Sequence, residues 1–175
     1  IQVFGLDGES KRRIGEAGQG EGQFSSPGGV AVADDGSLFV ADFYNQRVQK
    51  LEADGTFIRQ WGTTGEPGRG AGEFIYPTDV TLSKDETFYV ADGYANRVQV
   101  FSPKGDFVRK WGGPFAMGLY GPFNGWFTTA TGITTGPQGR VFVADFYNDR
   151  IQVFSAEGDF LTAFGESGDG PGEFG

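Results

Sequence analysis

One phrase occurs three times in this chain. It reads Val40-Ala41-Asp42-Phe43-Tyr44-Asn45-Gln46-Arg47-Val48-Gln49, then Val90-Ala91-Asp92-Gly93-Tyr94-Ala95-Asn96-Arg97-Val98-Gln99, then Val143-Ala144-Asp145-Phe146-Tyr147-Asn148-Asp149-Arg150-Ile151-Gln152. Asp42, Asp92 and Asp145 therefore lie 50 and then 53 residues apart. Self-similarity at such a period means that one supersecondary unit is copied, and that neighbouring copies bury their apolar faces against each other.

Each copy reads as four strands. Val30-Ala31-Val32 follows a proline-glycine turn, and Asp34-Asp35-Gly36 is a hairpin signal. Leu38-Phe39-Val40-Ala41 is a continuous apolar run, as expected of a strand covered on both faces. Asp42 to Asn45 turns the chain, Val48 to Leu51 forms a third strand, and Asp54-Gly55 turns it again. Phe57 to Trp61 is a fourth, half-exposed strand ending at Gly62. Trp61, Trp111 and Phe164 hold one position, where a large flat side chain can fill the gap between neighbouring units. Four antiparallel strands at this period are the blade of a β-propeller, an all-β fold.

The blades run over residues 22–62, 72–112 and 125–165. Ile1-Gln2-Val3-Phe4 matches Ile151-Gln152-Val153-Phe154, so residues 1–15 read as the third and fourth strands of a half blade. Residues 170–175 read as the lead-in to a further first strand. The expectation is about three and a half blades of a larger propeller, with the terminal strands paired to protein outside these residues, because open edges invite pairing.

The pattern Pro-x-x-Val-Ala-Val, Gly-x-Leu-Phe-Val-Ala-Asp, Asn-x-Arg-Val-Gln-x-Phe resembles the NHL repeat, and the likeness extends over nearly the whole chain. That resemblance implies a six-bladed propeller of radially arranged four-stranded blades. Ala95 departs from it where Asn45 and Asn148 stand, and Ala130 where Pro27 and Pro77 stand. Both departures are expected to weaken a local turn. NHL propellers serve as protein-binding platforms, RNA binders and extracytoplasmic sensors, and a few related ones are metal-dependent lyases or hydrolases. Fold alone therefore does not assign function. The resemblance leaves the compartment open, with a periplasmic or secreted location slightly favoured.

Composition removes several chemistries. The sequence contains neither histidine nor cysteine, so it cannot build a Ser-His-Asp or Cys-His arrangement, a histidine-ligated zinc site or a disulfide. The net charge of −9 repels phosphate backbones and argues against nucleic acid as a partner. Lys11-Arg12-Arg13 is the sole basic run and reads as a solvated face. No apolar stretch reaches the length of a membrane span. The segments Gly15 to Gly20 and Gly65 to Gly70 precede no helix and lack the Gly-Lys-Ser/Thr ending of a phosphate loop, so they read as links between blades. No cofactor is expected.

Asp42, Asp92 and Asp145 could be taken for a ring of metal ligands. Recurrence in every blade speaks for scaffold: each aspartate is expected to cap its turn, and each of Arg47, Arg97 and Arg150 to bond a neighbouring turn or carboxylate. In an antiparallel blade the turn between strands two and three shares a face with the link to the next blade. Phe43, Tyr44, Tyr94, Phe146 and Tyr147 should therefore lie on the face of the links. One link, Gly113 to Asn124, is longer than the others, aromatic and free of charge. With Phe115, Tyr120 and Phe123 it is the candidate contact loop. The alternative is that it folds over the propeller end and plugs it. The functional expectation is a non-enzymatic binding or scaffold module whose partner is another protein or the remainder of the propeller. The alternative is a calcium-dependent lactonase, hydrolase or lyase. Its ligands would lie largely in other blades, since Asp79 is the single carboxylate on the innermost strands.

Overall fold

The computed structural model describes residues 1–175, and it is all-β. Strands β1 (Gln2–Phe4) and β2 (Ser10–Arg13) form an antiparallel half blade. Two short pieces, β3 (Glu16–Ala17) and β4 (Gln23–Phe24), pair in parallel inside the glycine-rich link that follows. The first four-stranded blade is β5 (Pro27–Val32), β6 (Leu38–Asp42), β7 (Arg47–Leu51) and β8 (Phe57–Trp61). The second is β9 (Pro77–Leu82), β10 (Phe88–Asp92), β11 (Arg97–Phe101) and β12 (Phe107–Trp111). The third is β13 (Ala130–Thr135), β14 (Val141–Asp145), β15 (Arg150–Phe154) and β16 (Phe160–Phe164). Each blade is an up-and-down meander, paired in register as Val40↔Gln49, Val90↔Gln99 and Val143↔Gln152. The only helical pieces are single 3-10 turns, and no helix is long and apolar enough to cross a membrane.

Local chemistry explains the reversals. Gly36 sits at φ +86 between β5 and β6, a conformation that costs glycine little and a side chain much. Gln46, Asn96 and Asp149 end the three 3-10 turns between strands two and three of the blades in the left-handed region. Asn and Asp tolerate that region better than most residues. The turns expected to be weakened at Ala95 and Ala130 keep their course: Asn96 closes the first, and Thr129 at φ 64 precedes the second.

The core lies between blades. Strands β6 and β10 are buried along their whole length. Phe39, Trp61, Phe74, Phe88 and Phe101 join the first two complete blades, and Tyr89, Trp111, Phe127 and Phe154 join the second to the third. Trp61 packs 4.7 Å from the Phe88 ring and donates its indole N–H to Gly105 O at 2.8 Å. Trp111 fills the equivalent gap against Phe154, whereas Phe164 in the last blade stays half-exposed.

Two further ties run from blade to blade. At the hub, Asp79 on β9 accepts the Ile133 N–H of β13 at 2.9 Å and its neighbour Val80 N–H at 2.8 Å. Gly29 on β5 leaves room for it: a Cβ there would stand 1.9 Å from Asp79 Oδ1. At the rim, an arginine on each of three outer strands reaches a carbonyl in the next blade's last hairpin. Arg12 donates to Ala53 O, Arg59 to Lys104 O at 2.8 Å and Arg109 to Ala156 O at 2.9 Å. This corrects the reading of Lys11-Arg12-Arg13 as merely solvated. All three side chains are exposed, and Arg12 is in addition one of a series of clasps.

Candidate functional site

Each link between blades is gripped by a knot at the end of a second strand. Asp42 is fully buried. Its Oδ2 accepts Asn45 Nδ2 at 2.8 Å, Arg47 Nε at 2.9 Å and Gln49 Nε2 at 3.3 Å, and its Oδ1 accepts the Ser25 N–H at 2.7 Å. Arg47 then donates from Nη2 to Gly20 O and Gln23 O, both at 2.8 Å, and Gln49 Oε1 accepts the Gly22 N–H. A buried charge needs this degree of pairing, because an unpaired one is costly. The aspartate does not cap its own 3-10 turn, as the sequence had suggested. The Tyr44 N–H that a cap would bind is already given to Ser25 O, so the carboxylate holds the incoming chain instead. The glutamines of the repeat belong to the knot as much as the arginines do.

The second knot differs. Ala95 supplies no amide, and Lys110 stands where Gln60 accepts from Arg47 in the first blade. Arg97 Nη1 turns to Arg69 O. Burial raises the Asp92 carboxyl to about 6, against the opposing pull of Arg97. Lys110 is lowered, first by desolvation and then by Arg97.

The knots fix one face of the molecule, and the aromatic residues singled out from the sequence lie on it. Phe43 and Tyr44 meet edge to face at 4.9 Å, Phe43 and Tyr76 lie 5.0 Å apart, and Tyr76 and Tyr94 5.1 Å apart. These four rings form a ledge across two blades. Tyr44 and Tyr94 are exposed by 58% and 53%, while Phe43 is half-buried beneath them. Phe146 and Tyr147 form a separate exposed pair at 4.9 Å on the third blade. Tyr76 had not been identified from the sequence. The available signal was its place in the repeat, where the other blades carry Ser26 and Thr129.

The long link lies between the second and third blades on the same face. Asn96 Nδ2 donates to Gly118 O at 3.3 Å, and Asn148 Nδ2 to Gly121 O at 3.0 Å. Arg150 donates to Pro122 O and Phe123 O at 2.9 Å each. In these blades Phe115, Tyr120 and Phe123 of the loop are 94%, 73% and 62% exposed. Phe115 and Ala116 both occupy the left-handed region, at φ 55 and 54. For residues with a Cβ this costs on the order of 1 kcal/mol each. Such outliers cluster at contact sites. Phe123 packs edge to face on Trp126 at 5.1 Å, which sets its direction.

No group of three carboxylates comes together that could hold a cation. Both oxygens of Asp79 accept backbone N–H groups, and burial raises its carboxyl above the usual range. On the opposite face the three first hairpins surround a cleft of about 700 Å³, lined in part by Asp34, Lys84, Tyr89 and Gln138.

Repeated four-stranded sheets with their cores between them, fastened at hub and rim, define a β-propeller. The NHL repeat matches residues 24–51, 74–101 and 127–154, each spanning the first three strands of a blade. The chain carries three NHL repeats, one on each of its three complete β-propeller blades. It is 47% identical over 45 residues to the B-box type zinc finger protein ncl-1 of Caenorhabditis elegans, covering 26% of this chain and 5% of that protein. It is 44% identical over 50 residues to Protein brain tumor of Drosophila melanogaster, covering 29% of this chain and 5% of that protein. Virginiamycin B lyase from Staphylococcus aureus superposes with a TM-score of 0.62 at 17% identity, over 93% of this chain and 47% of the lyase. That likeness is one of fold. The chain spans about half the length of this structural relative and a small part of the curated ones.

Proposed function

We propose that this propeller is a non-enzymatic binding module that docks a protein partner on its aromatic link face. The observation that carries the reading is the link Gly113 to Asn124. It departs from the repeat in length and composition, is held by backbone and amide hydrogen bonds, and presents Phe115, Tyr120 and Phe123 to solvent. Tyr94, Phe146 and Tyr147 extend the surface on either side, with Tyr44 beyond and Phe43 beneath it. Interface hot spots are enriched in such aromatics, each worth about 2 kcal/mol or more. Relatives that carry NHL repeats within much longer chains fit a module that works as part of a larger assembly. The metal-dependent enzyme reading would need carboxylates beyond those of these blades.

The test replaces Phe115, Tyr120 and Phe123 together with serine. A partner is captured by the unaltered chain, identified and purified, and its affinity is measured for both forms. The expected result is a loss of at least about tenfold in affinity, or about 1.4 kcal/mol, with an unchanged melting temperature. Equal affinity removes this face from consideration.

A further inference from the structure

The aromatic face has a charge as well as a shape. The links that leave the blades on this side carry exposed Glu16, Glu21, Glu66, Glu73, Glu166 and Asp169. Glu66 follows Gly65, whose N–H bonds Asn45 O in the turn that bears Phe43 and Tyr44. Glu66 has no ion-pair partner, and the three arginines of the knots are each spent on an aspartate. The opposing charges on this side are Arg13, at the end of β2, Arg69, beside Gly118, and Lys110, which reaches Arg69 O. Over the whole link face exposed carboxylates therefore outnumber cations, and Glu66 is the one tied by its neighbour Gly65 to the turn that begins the ledge of Phe43, Tyr44, Tyr76 and Tyr94.

We infer that the segment received by this face is basic and bears arginine. This deepens the binding reading above and rests on it. A guanidinium lies favourably over the face of an exposed tyrosine, and it can pair with a carboxylate at the same time. Lysine suits the ledge less well, because its compact, strongly hydrated ammonium lacks the planar fork. A phosphate backbone would meet the excess of carboxylates and be repelled.

The test uses a short peptide of alternating arginine and glycine, with lysine and glutamate counterparts and poly(U) as comparison probes. Binding is followed by calorimetry and by the tyrosine ring resonances, at about 50 mM and about 300 mM salt. The arginine peptide should bind saturably, weaken with salt, and shift the Tyr44 and Tyr94 rings. The lysine peptide should bind several-fold more weakly. Tyr44→Ala with Tyr94→Ala should cost about tenfold in affinity, whereas Tyr44→Phe with Tyr94→Phe should retain binding, since the rings remain. Undiminished binding by the alanine variant would mean charge alone and overturns the inference, as would equal binding of the glutamate peptide or of poly(U). If the serine variant of the long link loses its natural partner but the arginine peptide never displaces that partner, the binding reading stands and the basic partner falls. If the serine variant keeps its partner while the arginine peptide still binds at Tyr44 and Tyr94, the ledge stands and the loop reading falls.

Discussion

Ala95→Asn should stabilise this protein, and the gain should depend on pH. In the first blade, Asn45 Nδ2 donates to both Asp42 Oδ2 and Gly18 O at 2.8 and 2.9 Å. The second blade has the same aspartate and the equivalent carbonyl at Gly68, but no amide at position 95. With burial its leading cause, the Asp92 carboxyl rises from 3.8 to about 6. A shift of about two units corresponds to about 3 kcal/mol of cost for the ionised form. Because the folded value exceeds the unfolded one, the folded state binds the proton more tightly. The cost is therefore fully present above about pH 6 and disappears as pH falls toward 4. A new hydrogen bond to a buried carboxylate contributes about 1.5 to 3 kcal/mol. Position 95 is fully buried, so fitting the larger side chain consumes part of this. A net gain of about 1 kcal/mol is expected at pH 7.5, which is roughly 2 to 4 °C in melting temperature for a chain of this size. Thermal melts of both forms at pH 7.5 and pH 5 decide the matter. A gain that is absent at pH 7.5, or equal at both pH values, refutes the account of Asp92.

Other perturbations report on the ties between blades. Trp61→Ala should lower stability by about 3 to 5 kcal/mol in urea titration, since it empties the site among Phe39, Phe88 and Phe101. Asp42→Ala should cost about 3 to 5 kcal/mol, because Arg47 is left buried without its partner. Arg59→Ala should cost about 1 to 2 kcal/mol in the same assay, through loss of the Lys104 O bond and of the guanidinium 4.6 Å over Trp61. Gly29→Ala should cost about 1 to 3 kcal/mol by crowding Asp79, and Asp79→Gly in the same chain should recover part of the loss. A Gly29→Ala protein as stable as the parent would remove the hub tie.

Much of the fold was readable because its signals are local. Asp34-Asp35-Gly36, the apolar run Leu38 to Ala41 and the Asp-Phe-Tyr-Asn turn each act over a few residues, and the period multiplied them. The shared face of the turns and links followed from strand parity. What stayed hidden depends on distant partners. Arg12, Arg59 and Arg109 look like ordinary outer-strand charges until the next blade's hairpin is seen beside them. Gln49 reads as a solvent position on a strand, although it is buried against Gly22 and Gln23. Tyr76 is one aromatic in a chain with many, and its place in the ledge depends on two turns from different blades. The role of Asp92 as a strained member of its knot required the burial that only the fold provides.

The knots grip the links by their backbone. Arg47 holds Gly20 O and Gln23 O, Arg97 holds Gly70 O and Glu73 O, and Arg150 holds Pro122 O, Phe123 O and Trp126 O. A carbonyl is the same whatever side chain follows it, so the scaffold places few demands on what a link spells. Acidic glycine-rich text and uncharged aromatic text are accommodated by one clamp, at different lengths. The link face is in this sense a writable surface: foreign loops should graft between Gly112 and Gly125 without unseating the blades, and new recognition can arise there while the propeller beneath stays unchanged.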